Sequence, residues 1–222
     1  MKEYAAFFDM DKTILSENSG QLFYKYYFNK GEVKFVDYLK LLPIPILYAF
    51  GMLKLEYISK VLSDKYIGLS ESEIYSKTQK WFDDFGHKFI RDKMIDEIEY
   101  HRNKNAEIVL ISASPRNICY PVFSHLNMDE LISTDLIIEN NVFKGIQGNS
   151  VYKEEKVNRA EKFLKENNMT FEDSYFYSDS ISDLPLLEKV GNPVCVNPDK
   201  KLAKIAINKQ WKILEVWKTA FL

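Results

Sequence analysis

Residues 4–15 read YAAFFDMDKTIL. Tyr4–Phe8 is a short, continuous apolar run that ends abruptly at Asp9, the pattern of a parallel strand buried on both faces whose C-terminal end meets polar chemistry. Glu107–Ile111 (EIVLI), Ser174–Tyr177 (SYFY) and Pro193–Val196 (PVCV) read as three further strands. Helix-compatible stretches lie between them: Arg116–Leu126, Lys153–Asn168 with Val157, Ala160, Phe163 and Leu164 on one stripe, and Leu184–Lys189. Leu136–Glu139 and Val142–Ile146 flank Asn140 and Asn141, whose tolerance of left-handed backbone predicts a hairpin. From Asn18 to about Asn105 apolar residues recur at helical spacing instead, among them Leu22, Tyr26, Tyr27, Val33, Val36, Leu39, Ile58, Val61, Leu62, Ile90, Met94 and Ile98. Strands alternating with helices give an α/β fold, a parallel sheet with helices on both faces, interrupted after its first strand by a helical insertion.

The chain has 222 residues, 46% hydrophobic and 14% aromatic, enough to bury a sizeable core. Its 30 Lys and Arg against 32 Asp and Glu give a net charge of −2, no footprint for nucleic acid or an anionic membrane surface. Cys119 and Cys195 lie far apart without CxxC spacing and read as reduced, packed thiols of a cytoplasmic protein. MKEYAAFFDMDKT meets an acidic residue too early for an export signal. The longest uncharged run, Leu41–Leu53 (LLPIPILYAFGML), contains Pro43, Pro45 and Gly51 and falls short of the about 20 apolar residues of a spanning helix. No transmembrane segment is expected; the run reads as a buried helix corner, a pocket wall, or a patch for a partner or lipid. Nothing in the sequence speaks to oligomeric state.

Ligands of such sheets collect beyond the carboxyl ends of the strands. There the sequence places Asp9 and Asp11, which would face a common point on an extended segment. It also places Ser112 with Ala113, Ser114 and Pro115 opening a helix, Lys156 at a helix start, and Asp179 with Asp183 after SYFY. Carboxylates gathered near one point repel each other unless a hard cation joins them, and an oxygen-only donor set suits Mg²⁺. Lys156, the Ser112 hydroxyl and free N–H groups beside that cation complement a phosphoryl group, so the expected substrate is a small-molecule phosphate ester.

FFDMDKTIL, VLISAS, Lys156 and YSDSISDLPLL, in that order, resemble the four motifs of the haloacid dehalogenase superfamily, and the insertion after the first motif is similar to the cap of its phosphoserine-phosphatase-like subfamily IB. The resemblance implies a Rossmann-like core, 1–16 and 105–222, and a helical C1-type cap, 17–104. It implies a Mg²⁺-dependent phosphatase in which Asp9 becomes an aspartyl phosphate and Asp11 acts as acid and then base. Asp9, the main-chain carbonyl of Asp11, and Asp179 would hold Mg²⁺, with Asp183 orienting. Ser112, Ala113 and Lys156 would bind phosphate, and Thr13 would brace the loop. Ala113 and Ser182 depart from the Gly and Asn usual in phosphoserine phosphatases.

Rival readings are weaker. An EF-hand loop over 9–20 fails because Ile14 and Gly20 stand where Gly and Glu are needed. Lys153 competes with Lys156, but Lys156 has the family's spacing to Asp179. Ser114 reads as the cap of the helix after it, and His87, His101 and His125 lack ligand spacing. The first of only four arginines is Arg91, and Asn18 fills the position where phosphoserine phosphatases carry an acid, so free phosphoserine is expected to be a poor substrate. Phe23, Tyr24, Tyr26, Tyr27 and Phe28 instead offer apolar surface for a less polar alcohol. Phosphoserine phosphatase, phosphotransferase and lipid-phosphate phosphatase activities would use the same motifs. The cap is expected to hinge near Leu15–Ser19 and Asn103–Ala106.

Overall fold

A computed structural model describes residues 2–32, 66–147 and 150–216. In chain order its elements are β1 (Ala5–Phe8), α1 (Ser19–Asn29), α2 (Glu71–Asp84), α3 (Asp92–Asn103), β2 (Glu107–Pro115), α4 (Arg116–His125), β3 (Glu130–Thr134), β4 (Leu136–Glu139), β5 (Val142–Ile146), α5 (Glu154–Glu166), β6 (Tyr175–Ser178), the single turn α6 (Leu184–Leu187), β7 (Asn192–Val196), α7 (Lys200–Asn208) and β8 (Lys212–Leu214). The Leu41–Leu53 run and the periodic positions from Val33 to Leu62 lie outside the described residues. No helix among the described residues is long and apolar enough to cross a membrane.

Six strands form one sheet in the order β3-β2-β1-β6-β7-β8, every neighbouring pair parallel. From β1 the chain steps outward through β2 and β3, then restarts with β6 on the other edge of β1. That reversal is the switch point at which open α/β sheets bind ligands. The strand alternation divides the core: Ala6 and Phe8 of β1 join Ile108 and Leu110 in one cluster with residues of α1, α2, α3 and α4. Ala5 and Phe7 join Val109 and Ile111 with residues of α5, α6 and α7. All four β1 residues are wholly buried, which is why the run carries no polar position.

The hairpin β4–β5 is antiparallel and turns on Asn140 (φ 51°) and Asn141 (φ 63°), the left-handed pair its sequence predicts. Strand β2 runs past Ile111 to Pro115, with a register break: Ser112 pairs with Ser133 and Pro115 with Thr134, so Ala113 and Ser114 bulge. Strands β3 and β8 and helix α7 are additional to the sequence reading. β8 is a three-residue edge strand, too short to show a period.

Helix α3 lies against the sheet. Met94 and Ile98 enter the sheet's core cluster and His101 bonds to Tyr177 of β6, so this helix packs on the sheet although it falls within 17–104. The chain leaves and re-enters side by side: Leu15 pairs with Ile90, Ser16 N–H donates to Phe89 O (2.7 Å) and Arg91 N–H to Ile14 O (2.9 Å). The segment after the first motif is thus paired with Phe89–Arg91. Helical periodicity marks which face is buried but not what it is buried against.

Candidate active site

Asp9 follows β1 beside β6, its N–H donating to Tyr177 O (2.9 Å). The next residues do not continue the strand, although Asp11 itself keeps extended angles (φ −73°, ψ 125°). Leu15 N–H reaches back to Met10 O (2.9 Å) in a wide turn, and Lys12 sits at φ 59°, an uncommon conformation for a residue with a side chain. The turn gives the two acids separate hydrogen-bond partners. The Asp11 carboxylate accepts from Ser19 N–H at the start of α1 (2.7 Å), from the Ser114 hydroxyl (2.9 Å) and from Asn18 Nδ2 (3.2 Å). Burial raises the Asp11 carboxyl and these hydrogen bonds oppose the rise.

Asp9 instead faces Lys156, whose Nζ donates to Asp9 Oδ1 (2.7 Å) and Asp183 Oδ2 (2.8 Å). Lys156 is 2% exposed, Asp183 3% and Asp9 7%. Burial opposes the ammonium, but Asp183 and Asp9 outweigh it and leave Lys156 raised, so the proton of the pair stays on the lysine. Burial also pushes the Asp9 carboxyl up; Lys156 opposes this, and Asp183 and Asp179 add to it. Lys153, the competing lysine, is exposed, with its Nζ 5.4 Å over the Tyr152 ring.

Asp183 ends a short turn, Ile181–Asp183, and accepts from the Ser178 hydroxyl as well (2.6 Å). Asp179 is half-buried, and its carboxyl is pushed up to about 7, by burial first and then by Asp183. Asp199 secures this loop: its N–H donates to Asp179 O (2.8 Å), while its side chain accepts from Ile181 N–H and caps α7. Ser112 is buried, its hydroxyl accepting from Ser114 N–H (3.1 Å), and half-buried Ala113 is held through its carbonyl by Thr134 Oγ1 (2.7 Å). Thr13 is wholly buried, and its hydroxyl has no hydrogen-bond partner among the described residues.

Ser178 is a residue the sequence reading missed, and Ser114 is one it placed in another role. Ser114 does not cap α4 but donates to Asp11, and the bulge in β2 gives it that reach. Arg91 lies in the paired segment Phe89–Arg91, bonded to Val216 O (2.7 Å) and Lys12 O (3.4 Å). Of the histidines, His101 is wholly buried, whereas His87 and His125 are exposed. Among the described residues no three His, Cys, Asp or Glu side chains form a metal-binding group by themselves.

A profile of haloacid dehalogenase-like hydrolases matches residues 6–188. The chain belongs to that family. It is 28% identical over 213 residues to a probable phosphatase of Mycobacterium tuberculosis, covering 95% of this chain and 74% of the relative. To the histidinol-phosphatase of Neisseria meningitidis it is 29% identical over 232 residues, covering 94% and 97%. A Bordetella pertussis protein of unknown function has the same fold, with a TM-score of 0.89 at 23% identity over 98% of this chain and 100% of that one. A phosphoserine phosphatase solved as a phospho-aspartyl intermediate analogue gives 0.70 at 16% identity, over 97% and 94%. In fold this hydrolase is phosphoserine-phosphatase-like.

Proposed function

We propose that this hydrolase is a Mg²⁺-dependent phosphatase that cleaves a small-molecule phosphate monoester through an aspartyl phosphate on Asp9. The observation that carries the reading is the buried Lys156 ammonium bridging Asp9 and Asp183 at the switch point of the sheet. A structural ion pair needs one partner for each charge. Here four carboxylates, Asp9, Asp11, Asp179 and Asp183, surround one buried lysine, leaving negative charge for a cation to offset.

The donor set fits a hard divalent ion: it is all oxygen, and burial, with Asp183 beside it, raises the Asp179 carboxyl to about 7, a charge that a bound cation would favour. The carboxylates of Asp9 and Asp179 and the main-chain carbonyl of Asp11 would hold Mg²⁺, with Asp183 orienting through Lys156. When bound, the ion offsets charge on the phosphoryl oxygens. An Asp9 oxygen attacks phosphorus as the bond to the ester oxygen breaks, and Asp11 supplies the proton that the alcohol takes away. Asp11 then removes a proton from the water that displaces Asp9 and releases inorganic phosphate. Ser112, the Ala113 N–H and Lys156 bind the phosphoryl oxygens throughout. The raised carboxyl of Asp11 suits a group that must carry and return a proton. Cys119 and Cys195, both free and buried, support a cytoplasmic setting.

The test is phosphate release from p-nitrophenyl phosphate with and without Mg²⁺, joined to acid quenching and mass analysis of the Asp9 peptide. Wild type should release phosphate only with the ion and show a phosphorylated Asp9; Asp9→Asn should do neither. Full-rate release by Asp9→Asn overturns the assignment.

A further inference from the structure

We infer that the alcohol half of the substrate is uncharged and carries one flat ring, or a branched apolar group of that size, with Phe143 of the hairpin β4–β5 setting the limit. The inference rests on the reading of Asp11 as the acid that protonates the departing oxygen.

A cavity of about 170 Å³ opens beside Asp11 and Ser114, and its lining includes none of Asp9, Lys156 and Asp179. It is therefore on the leaving-group side: whatever is bonded to the oxygen that Asp11 protonates starts at its wall. In size it is comparable to the about 150 Å³ apolar cavity that holds one benzene. Phe23 and Tyr24 of α1, Ile74 of α2, Ile118 of α4, and Phe143 and Ile146 of the hairpin are among its lining residues, and the lining is predominantly apolar.

Among the described lining residues only Asp11 and Lys77 carry charge. Asp11 already has three donors. Lys77 pairs with Glu32 (3.2 Å) and lies 5.0 Å over the Tyr27 ring. An ammonium or carboxylate on the alcohol would lose water here without gaining a dedicated partner, whereas an apolar ring loses nothing.

Phe143 is fixed by main-chain bonds that cross to the helical insertion. Its N–H donates to Leu69 O (2.8 Å), its carbonyl accepts from Gly68 N–H (3.0 Å), and Glu71 N–H donates to Asn141 O (3.0 Å). Val142 pairs with Ser70 as one more antiparallel step. The hairpin is thus a strand partner of the insertion, and Phe143, 3% exposed, is a rigid wall.

The experiment compares kcat/KM for phosphates of similar primary alcohols: 2-phenylethyl, ethyl, ethanolamine and serine. The phenylethyl ester should exceed the ethyl ester by about 10- to 100-fold, the worth of burying a ring, and the two charged esters should not exceed ethyl. Phe143→Leu and then Phe143→Ala should lower the phenylethyl-to-ethyl ratio stepwise. Inhibition of wild type should be tighter by benzylphosphonate than by methylphosphonate, an arm that needs no variant. Preference for serine or ethanolamine phosphate, equal inhibition by the two phosphonates, or an unchanged ratio in a folded Phe143 variant overturns the inference while leaving the hydrolase reading intact. If no ester is turned over and Asp9 is never phosphorylated, the hydrolase reading itself falls, and this one with it.

Discussion

Tyr177 of β6 stands between two buried polar networks. Its ring stacks on Phe8 at 4.5 Å, and its hydroxyl joins a chain behind the sheet: Tyr4 to His101 Nδ1 (2.8 Å), His101 Nε2 to Tyr177 (2.8 Å), Tyr177 to Glu97 (2.9 Å). Just past Tyr177 the same strands carry Asp9 and Asp183 to either side of Lys156. In the rear chain a neutral imidazole donating from Nε2 lets every hydroxyl and ring nitrogen find a partner, and the only charge, on Glu97, ends near Lys93 and Lys212. The front network has more carboxylates than cations. The contrast separates a network that the fold itself completes from one that lacks a positive charge and a phosphoryl group.

Replacing Asp9 should break the symmetry of that comparison most sharply. Asp9→Asn removes the nucleophile and is expected to lower kcat by about 10,000-fold or more, while its melting temperature stays at or above that of wild type, because burial opposes the Asp9 charge by more than Lys156 favours it and Asp183 still holds the lysine. Steady-state assays and thermal melts on one preparation measure both. Lys156→Met should lower kcat by roughly 1,000-fold and also cost about 3 kcal/mol or more of stability, since it leaves Asp9 and Asp183 buried together without their cation. If Lys156→Met were as stable as wild type, the front network would not be held by that ammonium.

The front network was largely legible in the sequence, and the rear one was not. Asp9 and Asp183 follow apolar strand runs, and Lys156 opens an amphipathic helix, so position along the chain predicts place in the sheet. What failed depended on the third dimension. The wide turn after β1, with left-handed Lys12 inside it, follows no apolar period and leaves no mark in the sequence pattern. The bulge at Ala113 and Ser114 hands Asp11 a hydroxyl that composition reads as a helix cap. His101 looks unremarkable as one histidine in a charged helix, because its partners come from residues 4 and 177, far away in sequence. The docking of the hairpin on Leu69 is a main-chain contact, and side-chain patterns do not encode it.

Acid should distinguish the networks next. Burial holds His101 down to about 4, against Glu97, which favours the ion, and with Lys212 and Lys104, which oppose it; the ordinary value is about 6.5. The unfolded chain therefore binds a proton between those values that the folded chain refuses. The His101 contribution to stability is full above pH 6.5 and is lost as pH falls toward 4, on the order of 3 kcal/mol. Denaturant unfolding at stepped pH, with Mg²⁺ present, should show that acid limb in wild type and a flatter one in His101→Gln. Equal limbs would mean that His101 is charged in the folded protein.

The smallest change tests whether the rear network is only structural. Tyr4→Phe removes one hydroxyl at the half-buried end of the chain, leaving His101 Nδ1 without its donor, and should cost about 1 kcal/mol. Tyr177→Phe strands both His101 and Glu97 and should cost more. Because the rear hydroxyls reach the front through the packed rings of Tyr177 and Phe8 and by no hydrogen bond of their own among the described residues, kcat for Tyr4→Phe should stay within about twofold of wild type, the residue being remote from the reacting atoms. A tenfold fall in kcat at unchanged stability would mean that the position of Tyr177, and through it of Asp9, is tuned from behind the sheet. The two networks would then have to be treated as one.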